Sequence, residues 1–442
     1  MRDPMYFENY GEPLDFEVAD KGEKVLVPNY MVNLLSVITV LTTIAVVVRV
    51  GVASFRDSHS AKGHVGPYIA APPPPLSLLP EAQEPLEGWS NEEWRALMPS
   101  PRPIVCFLNR DGFLRPPPDT LVLRSFPGFY CNEIVYNGLA FENSTLNLLA
   151  DETDDAIILQ LNRVRDALFP HWKVILNIFV DAATAKRMQE SDLFLESIFG
   201  WLEERRVDGL SFEFDDDTFL GDPDGATKVV AFFTAAKADH RWTNLTLSAM
   251  LPYGPTVLFR EELSAVLDRI FIKTHGLLDE RSGTTQLAAP LDNAGLIHRH
   301  SNHHTVMSLL EEMEDNLNKK TCFTLSLSGT AFTLLSPSQK NVGDPVKQVP
   351  LEKTSFSDVC GVGAGRVRKI EDDTAYSVEG NMWVTHEDQF TIFEKTAKVL
   401  RHWHFLCVAV VDVDLDDVRG ECGRVYPLLR RIYETSYILK YS

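Results

Sequence analysis

The sequence predicts a closed (β/α)8 barrel carried behind one transmembrane helix and a Pro-rich stalk. Three observations predict it. Short apolar runs rich in Val, Ile and Phe recur eight times after residue 103, with amphipathic stretches of helical period between most of them. A stretch of 24 residues between Lys24 and Arg49 has no charge. Between these regions lies a segment dense in proline. The 442 residues leave room for such a barrel with appendages, and 45% apolar with 24% charged residues is ordinary globular usage.

Residues 1–24 hold seven acids and three bases and are read as a cytosolic acidic tail. The uncharged stretch, 25–48, is richest from Met31 to Val48. As a helix it is long enough to cross about 30 Å of hydrocarbon. A cleaved signal peptide is the rival reading, but that needs a basic start and this start is acidic. An uncleaved signal anchor is therefore expected. Arg2, Lys21 and Lys24 precede it and Arg49, Arg56 and Lys62 follow, so the positive-inside count is a tie. Two sequons, at Asn143 and Asn244, and all six cysteines lie downstream. They favour a single-pass type II protein with glycosylation at Asn143 and Asn244 and an extracellular or lumenal body. Ten of the 26 prolines fall between Pro67 and Pro103, so 49–102 is expected to be a stiff extended stalk.

The body, 103–442, alternates in the way parallel sheets require. Strands are expected at Ile104–Leu108, Glu133–Phe141, Lys173–Val180, Asp208–Phe214, Leu245–Leu251, Arg269–Thr274, Cys322–Ser328 and Phe405–Val413. Helices are expected at Thr184–Arg205, Gly225–His240, Thr305–Asn318 and Gln389–Trp403. Eight strand–helix units suit a closed barrel, although an open doubly wound sheet has the same rhythm. The gap from Gly329 to Thr385 leaves room for a small insertion, about 329–385, before the last strand.

Composition narrows the partners. The formal charge is −20, and a surplus of acid disfavours nucleic acid, whose phosphates need a basic face. No cofactor is expected: Gly361, Gly363 and Gly365 lack the last glycine of a dinucleotide loop. Nor is a physiological metal. His298, His300, His303 and His304 read as an exposed loop, and Asp412, Asp414 and Asp416 lack the glycine of a calcium loop.

Chemistry in a barrel sits where strands end. The fourth predicted strand ends Asp208-Gly209-Leu210-Ser211-Phe212-Glu213-Phe214-Asp215-Asp216-Asp217. Alternation puts Ser211, Glu213 and Asp215 on one face and Leu210, Phe212 and Phe214 on the other. Two neighbouring carboxylates repel, so one can hold a proton and act as an acid.

This segment resembles the DGxDxDWE motif of glycoside hydrolase family 18, the chitinases and chitinase-like proteins. Further pieces fit in order: Cys106-Phe107, Cys131 through Tyr136 to Phe141, Leu247 to Pro252, Ser326 to Leu334, and Asp414 to Asp417 followed by Cys422 and Tyr426-Pro427-Leu428. The resemblance implies a barrel with a small α+β insertion and disulfides Cys106–Cys131 and Cys360–Cys422. Cys322 and Cys407 are left either bridged or as two buried thiols. It also implies substrate-assisted cleavage, in which the motif Glu protonates the glycosidic oxygen and the preceding Asp steadies the sugar's attacking acetamido group.

The polar positions of the motif after Asp208-Gly209 have all changed. The Glu position is Asp215, the neighbouring Asp position is Glu213 and the Asp position before that is Ser211. An acid one methylene shorter withdraws by on the order of 1 Å, a misplacement that can cost about 10²-fold. After the third strand the family's SxGG and aromatic become Asn177-Ile178-Phe179-Val180-Asp181. On the sixth, MxYD becomes Lys273-Thr274-His275-Gly276, and on the eighth the floor Trp is Val411. Asp215 and Glu213 are thus degenerate catalytic positions, with Ser211, His275, Val411 and Asp181 as candidate binding positions. The expected function is a catalytically inactive, membrane-anchored chitinase-like protein that binds a chitin-type glycan or a protein partner at the cell surface. One alternative is an active or altered glycosidase with Asp215 as acid. Another is an interaction domain whose cleft Phe179 and Val180 close. Trp242, Tyr253 and Trp383 are candidates for rebuilding a sugar platform.

Overall fold

A computed structural model describes residues 102–141, 148–181, 184–185, 192–214, 225–251, 261–279, 282–292, 304–348, 352–361 and 367–441. The predicted tail, anchor and stalk, except Arg102, lie outside the described residues, as do Asn143, Asp215, Tyr253, His298, His300 and His303. Among the described residues, no helix is long and apolar enough to cross a membrane.

Eight parallel strands form the barrel: β1 Ile104–Asn109, β2 Glu133–Phe141, β3 Lys173–Val180, β4 Gly209–Phe214, β5 Thr246–Leu251, β6 Arg269–Ile272, β7 Thr321–Ser326 and β8 Cys407–Val411. Each pairs with the next, and β8 pairs with β1. The closed ring excludes the open-sheet alternative.

Both faces of the strands are covered along most of their length, which is why they read as largely apolar runs. Outward residues pack under helices: Phe212 of β4 meets Phe232 and Phe233 of helix Gly225–Ala238 edge-on, with centroids 5.6 and 5.4 Å away. Inward residues make a separate core of Val105, Phe107, Val135, Ile175, Met250 and Phe271 with Cys322, Cys407, Ala409 and Val411. Helix Glu152–Leu168 starts at a capping box of Asp151 and Asp154, and helix Gln389–His402 at one of Asp388 and Thr391.

Between β7 and β8 the chain builds an antiparallel six-stranded sheet. Its strands include Gly329–Leu334, Lys353–Thr354, Thr374–Glu379 and Met382–His386. Its core holds Phe332 and Tyr376 against Trp383, which is fully buried. Trp242 is buried as well. Neither tryptophan therefore offers a sugar platform, because each ring is already covered by protein.

Disulfides Cys106–Cys131 and Cys360–Cys422 are present. A third, Cys322–Cys407, joins directly opposed inward residues of β7 and β8 and settles the alternative left open by the sequence. Closing loops of 25, 85 and 62 residues removes unfolded-state entropy worth on the order of 3–5 kcal/mol each.

Candidate functional site at the barrel mouth

Asn109 at the end of β1 stands side by side and in register with Asn137 and Asn177, which lie midway along β2 and β3. Their amides form a chain around the mouth. Asn109 Nδ2 donates to Asp412 Oδ1 at 2.9 Å and to Asp414 Oδ1 at 2.8 Å. Asn137 Nδ2 donates to Asn109 Oδ1 at 2.9 Å, and Asn177 Nδ2 to Asn137 Oδ1 at 3.0 Å. Asn177 Nδ2 also donates to Glu213 Oε2 at 2.9 Å. One belt thus links the end of β8 to the end of β4.

Asp412 anchors the belt. It is buried just past β8 with φ of 56°, a left-handed conformation that Asp tolerates better than most residues. Its Oδ2 accepts from Ser326 and Ser328, both at 2.8 Å, and its Oδ1 from Lys353 at 2.7 Å. Lys353 comes from the inserted sheet, so this bond ties the insertion to the mouth. Burial alone would raise the Asp412 carboxyl, but Lys353 and the Ser326 bond hold it well below the usual range. Burial likewise works against the Lys353 ammonium, but Asp412 outweighs it and raises its pKa.

Glu213 lies at the end of β4 facing inward. Burial pushes its carboxyl up, against the opposing effects of Lys273 and the Asn177 bond. Ser211, one step deeper, is fully buried and its hydroxyl has no hydrogen-bond partner. Val411 belongs to the inner core, and Asp181 Oδ1 accepts from the backbone N–H of Thr184 at 2.7 Å, so this carboxylate braces a turn. Asp215 lies outside the described residues, so β4 is described only as far as Phe214.

The cleft-closing role assigned to Phe179 and Val180 needs correction. Side chains alternate along a strand. Val180 is buried in the outer core, whereas Phe179 is 45% exposed and in register with Glu213. Only Phe179 stands at the mouth, as an open aromatic surface.

His275 follows β6, with Nδ1 2.6 Å from Thr324 Oγ1. Burial, with repulsion from Lys273, pushes it down to about 3. Its folded pKa lies below the ordinary value of about 6.5, so the stability it contributes is complete above that pH and is lost as pH falls toward 3. Folding stability is expected to drop by on the order of 1–2 kcal/mol from pH 6.5 to 5 through this group. Denaturant titrations of His275→Asn at pH 7, 6 and 5 check this: the variant should fall less steeply than the parent.

The asparagine trio, Asp412 as anchor and Lys353 escape sequence reasoning. The available signal was positional: each Asn follows an apolar residue two positions earlier on the inward face of its strand, and Asp412 directly follows the buried run Cys407–Val411. Among the described residues, no group of three or more His, Cys, Asp or Glu side chains is arranged to hold a metal.

The family model for glycosyl hydrolases family 18 matches residues 104–416. The Group IV chitinase of Ostrinia furnacalis superposes with a TM-score of 0.68 at 16% identity, covering 76% of this chain and 100% of that one. Human YKL-39, described as a pseudo-chitinase with retained chitooligosaccharide binding, gives 0.66 at 20% identity, with 76% and 99% covered. An immunomodulatory active chitinase from Trichuris suis gives 0.64 at 19%, again with 76% and 99% covered. At these identities the likeness is one of fold. Active and inactive proteins share it, so catalysis must be argued from the mouth itself.

Proposed function

The chain belongs to glycosyl hydrolases family 18, and from that premise we propose that it binds a chitin-type glycan at the barrel mouth without cleaving it. One observation carries this reading: Glu213, where the family has its acetamido-steadying Asp, is half-buried and its Oε2 is bonded into the asparagine belt through Asn177. A side chain one methylene longer than the family's Asp crowds the place of the sugar's acetamido group. An oxygen already accepting from Asn177 is also less free to steady the positive charge that develops there during substrate-assisted cleavage. Asp215, a methylene short of the family's acid, adds a further loss. Phe179 supplies the aromatic face that Val411 does not.

Calorimetric titration of the full chain with a chitin tetramer should show binding. Turnover of the same tetramer between pH 4 and 8 should match background, with an active family member run in parallel. Phe179→Ala is expected to weaken binding about tenfold, the effect of losing roughly 1.4 kcal/mol of stacking. Cleavage that disappears in Asp215→Ala would falsify the non-hydrolytic reading. Absence of binding removes the glycan.

The same proposal sets the body outside a membrane, on the anchor and stalk expected from 25–102. Three disulfides fit an oxidising compartment, and the side chain of Asn244 is exposed. Resistance of the chain to alkaline extraction from membranes, with a glycosidase-sensitive mass shift reduced in Asn244→Gln, is the expected result.

A further inference from the structure

At the end of the barrel opposite Glu213, β2, β3, β5 and β6 begin around a cavity of about 400 Å³. Five cationic side chains line it, Lys173, Lys237, Arg269, Lys319 and Lys320, against the carboxylates Glu133 and Asp268. On a chain of charge −20 this is a local reversal of sign. Two of the cations are paired there: Lys237 Nζ lies 2.6 Å from Asp268 Oδ2, and Arg269 Nη2 lies 3.0 Å from Glu133 Oε1. Lys173, Lys319 and Lys320 line the cavity beside these pairs. Lys173 reaches only Thr246 Oγ1 at 3.2 Å, and Lys320 donates to the Ser264 and Leu267 carbonyls at 2.9 and 2.8 Å.

A second observation points to a ligand. Glu133 is 4% exposed, yet its Oε2 has no hydrogen-bond partner, and neither has the buried Nε of Arg269. Buried polar atoms are rarely left so, because each orphan costs on the order of 1–3 kcal/mol. A bare oxyanion would suit the lysines and Arg269 but would be repelled by Glu133. A molecule that brings an anionic group together with a hydroxyl satisfies both, the hydroxyl donating to Oε2. The volume is within the range that holds small ligands.

We propose that this cavity is a binding site for a monosaccharide carrying a phosphate or sulfate ester, independent of the glycan site at the mouth. Isothermal titration of the full chain with glucose 6-phosphate and glucose 6-sulfate should show binding that weakens as salt rises. Glucose should not bind, and inorganic phosphate and sulfate should bind at least tenfold more weakly than the esters. Lys173→Gln/Lys319→Gln, two exposed positions, should weaken the esters about tenfold or more without changing the melting temperature or tetramer binding at the mouth. The titrations are repeated on Asn244→Gln, because Asn244 stands on the rim and attached carbohydrate would cover it. Inorganic anions binding as tightly as the esters overturn the sugar assignment. Esters that fail to bind in both backgrounds, or bind the double variant undiminished, overturn the site. Loss of tetramer binding with ester binding intact would count only against the mouth.

Discussion

Lys395→Met is expected to lose about 3–5 kcal/mol of folding stability. Lys395 lies on helix Gln389–His402, on the side that also buries Ile392 and Val399, and none of its surface is exposed. Its ammonium meets the Glu387 carboxylate, itself buried, and donates to Thr374 Oγ1 at 3.0 Å. Thr374 opens a strand of the inserted sheet and donates in turn to the Ala289 carbonyl at 2.9 Å. The pair therefore pins the insertion to the helix that feeds β8. Burial already pushes the Glu387 carboxyl up against the pull of Lys395, and its Oε2 has no hydrogen-bond partner. Without the ammonium, Glu387 must sit charged in a dry site or take up a proton at neutral pH, and both are costly. Glu387→Gln/Lys395→Met removes the stranded charge along with its partner and should recover at least half of the loss. Urea titrations of the parent, both single variants and the double complete the cycle. A single-variant loss below 1 kcal/mol would show that water reaches the pair.

The barrel was legible because its strands carry their own boundaries. Glu133–Phe141 and Lys173–Val180 form as expected, since a strand buried on both faces is an unbroken apolar run flanked by charge or turn residues. The predicted helix Thr305–Asn318 is shorter, Val306–Glu312 followed by a 3-10 turn at Glu314–Asn316. Met313 is still buried and Leu317 still packs against the core, so the apolar period is kept while the last turn tightens. The site was legible only as a set of departures on β3, β4, β6 and β8. What replaces the lost machinery was not. Asn109, Asn137 and Asn177 each look like an isolated polar residue in an apolar strand, and only the parallel register makes them one belt. Lys353 reaches Asp412 across 59 residues of chain, a contact no local pattern encodes. For Phe179 and Val180 the signal was available, because alternation alone separates the inward ring from the outward methyls.

Asp412→Ala is the other variant with a large expected effect, about 2–4 kcal/mol at pH 7. The side chain collects bonds from Asn109, Lys353, Ser326 and Ser328, and the backbone is left-handed, where alanine is less tolerated than Asp. Part of the loss is recoverable. Asn109 keeps Asp414, the two serines lie 2.8 Å apart, and the Lys353 side chain, 59% exposed, can turn to water. The upper end of the range therefore requires the belt itself to loosen. Asp412→Asn keeps the shape and the tolerance of the left-handed backbone while removing the charge, so it should lose roughly half as much. Its pH dependence isolates the charge. The folded Asp412 carboxyl lies below its unfolded value of about 4, so its stabilisation is complete above that pH and fades as pH falls through the folded value. The gap between parent and Asp412→Asn should thus be widest near pH 7 and narrow steadily below about pH 4. Because Lys353 would no longer be held over the mouth and Asn177 would share a slackened belt with Glu213, tetramer binding should weaken in the same variants. A stability loss that leaves tetramer binding untouched would make the belt a brace for the barrel alone. A loss of both places Glu213, and with it the glycan, under the control of a charge on the far side of the ring.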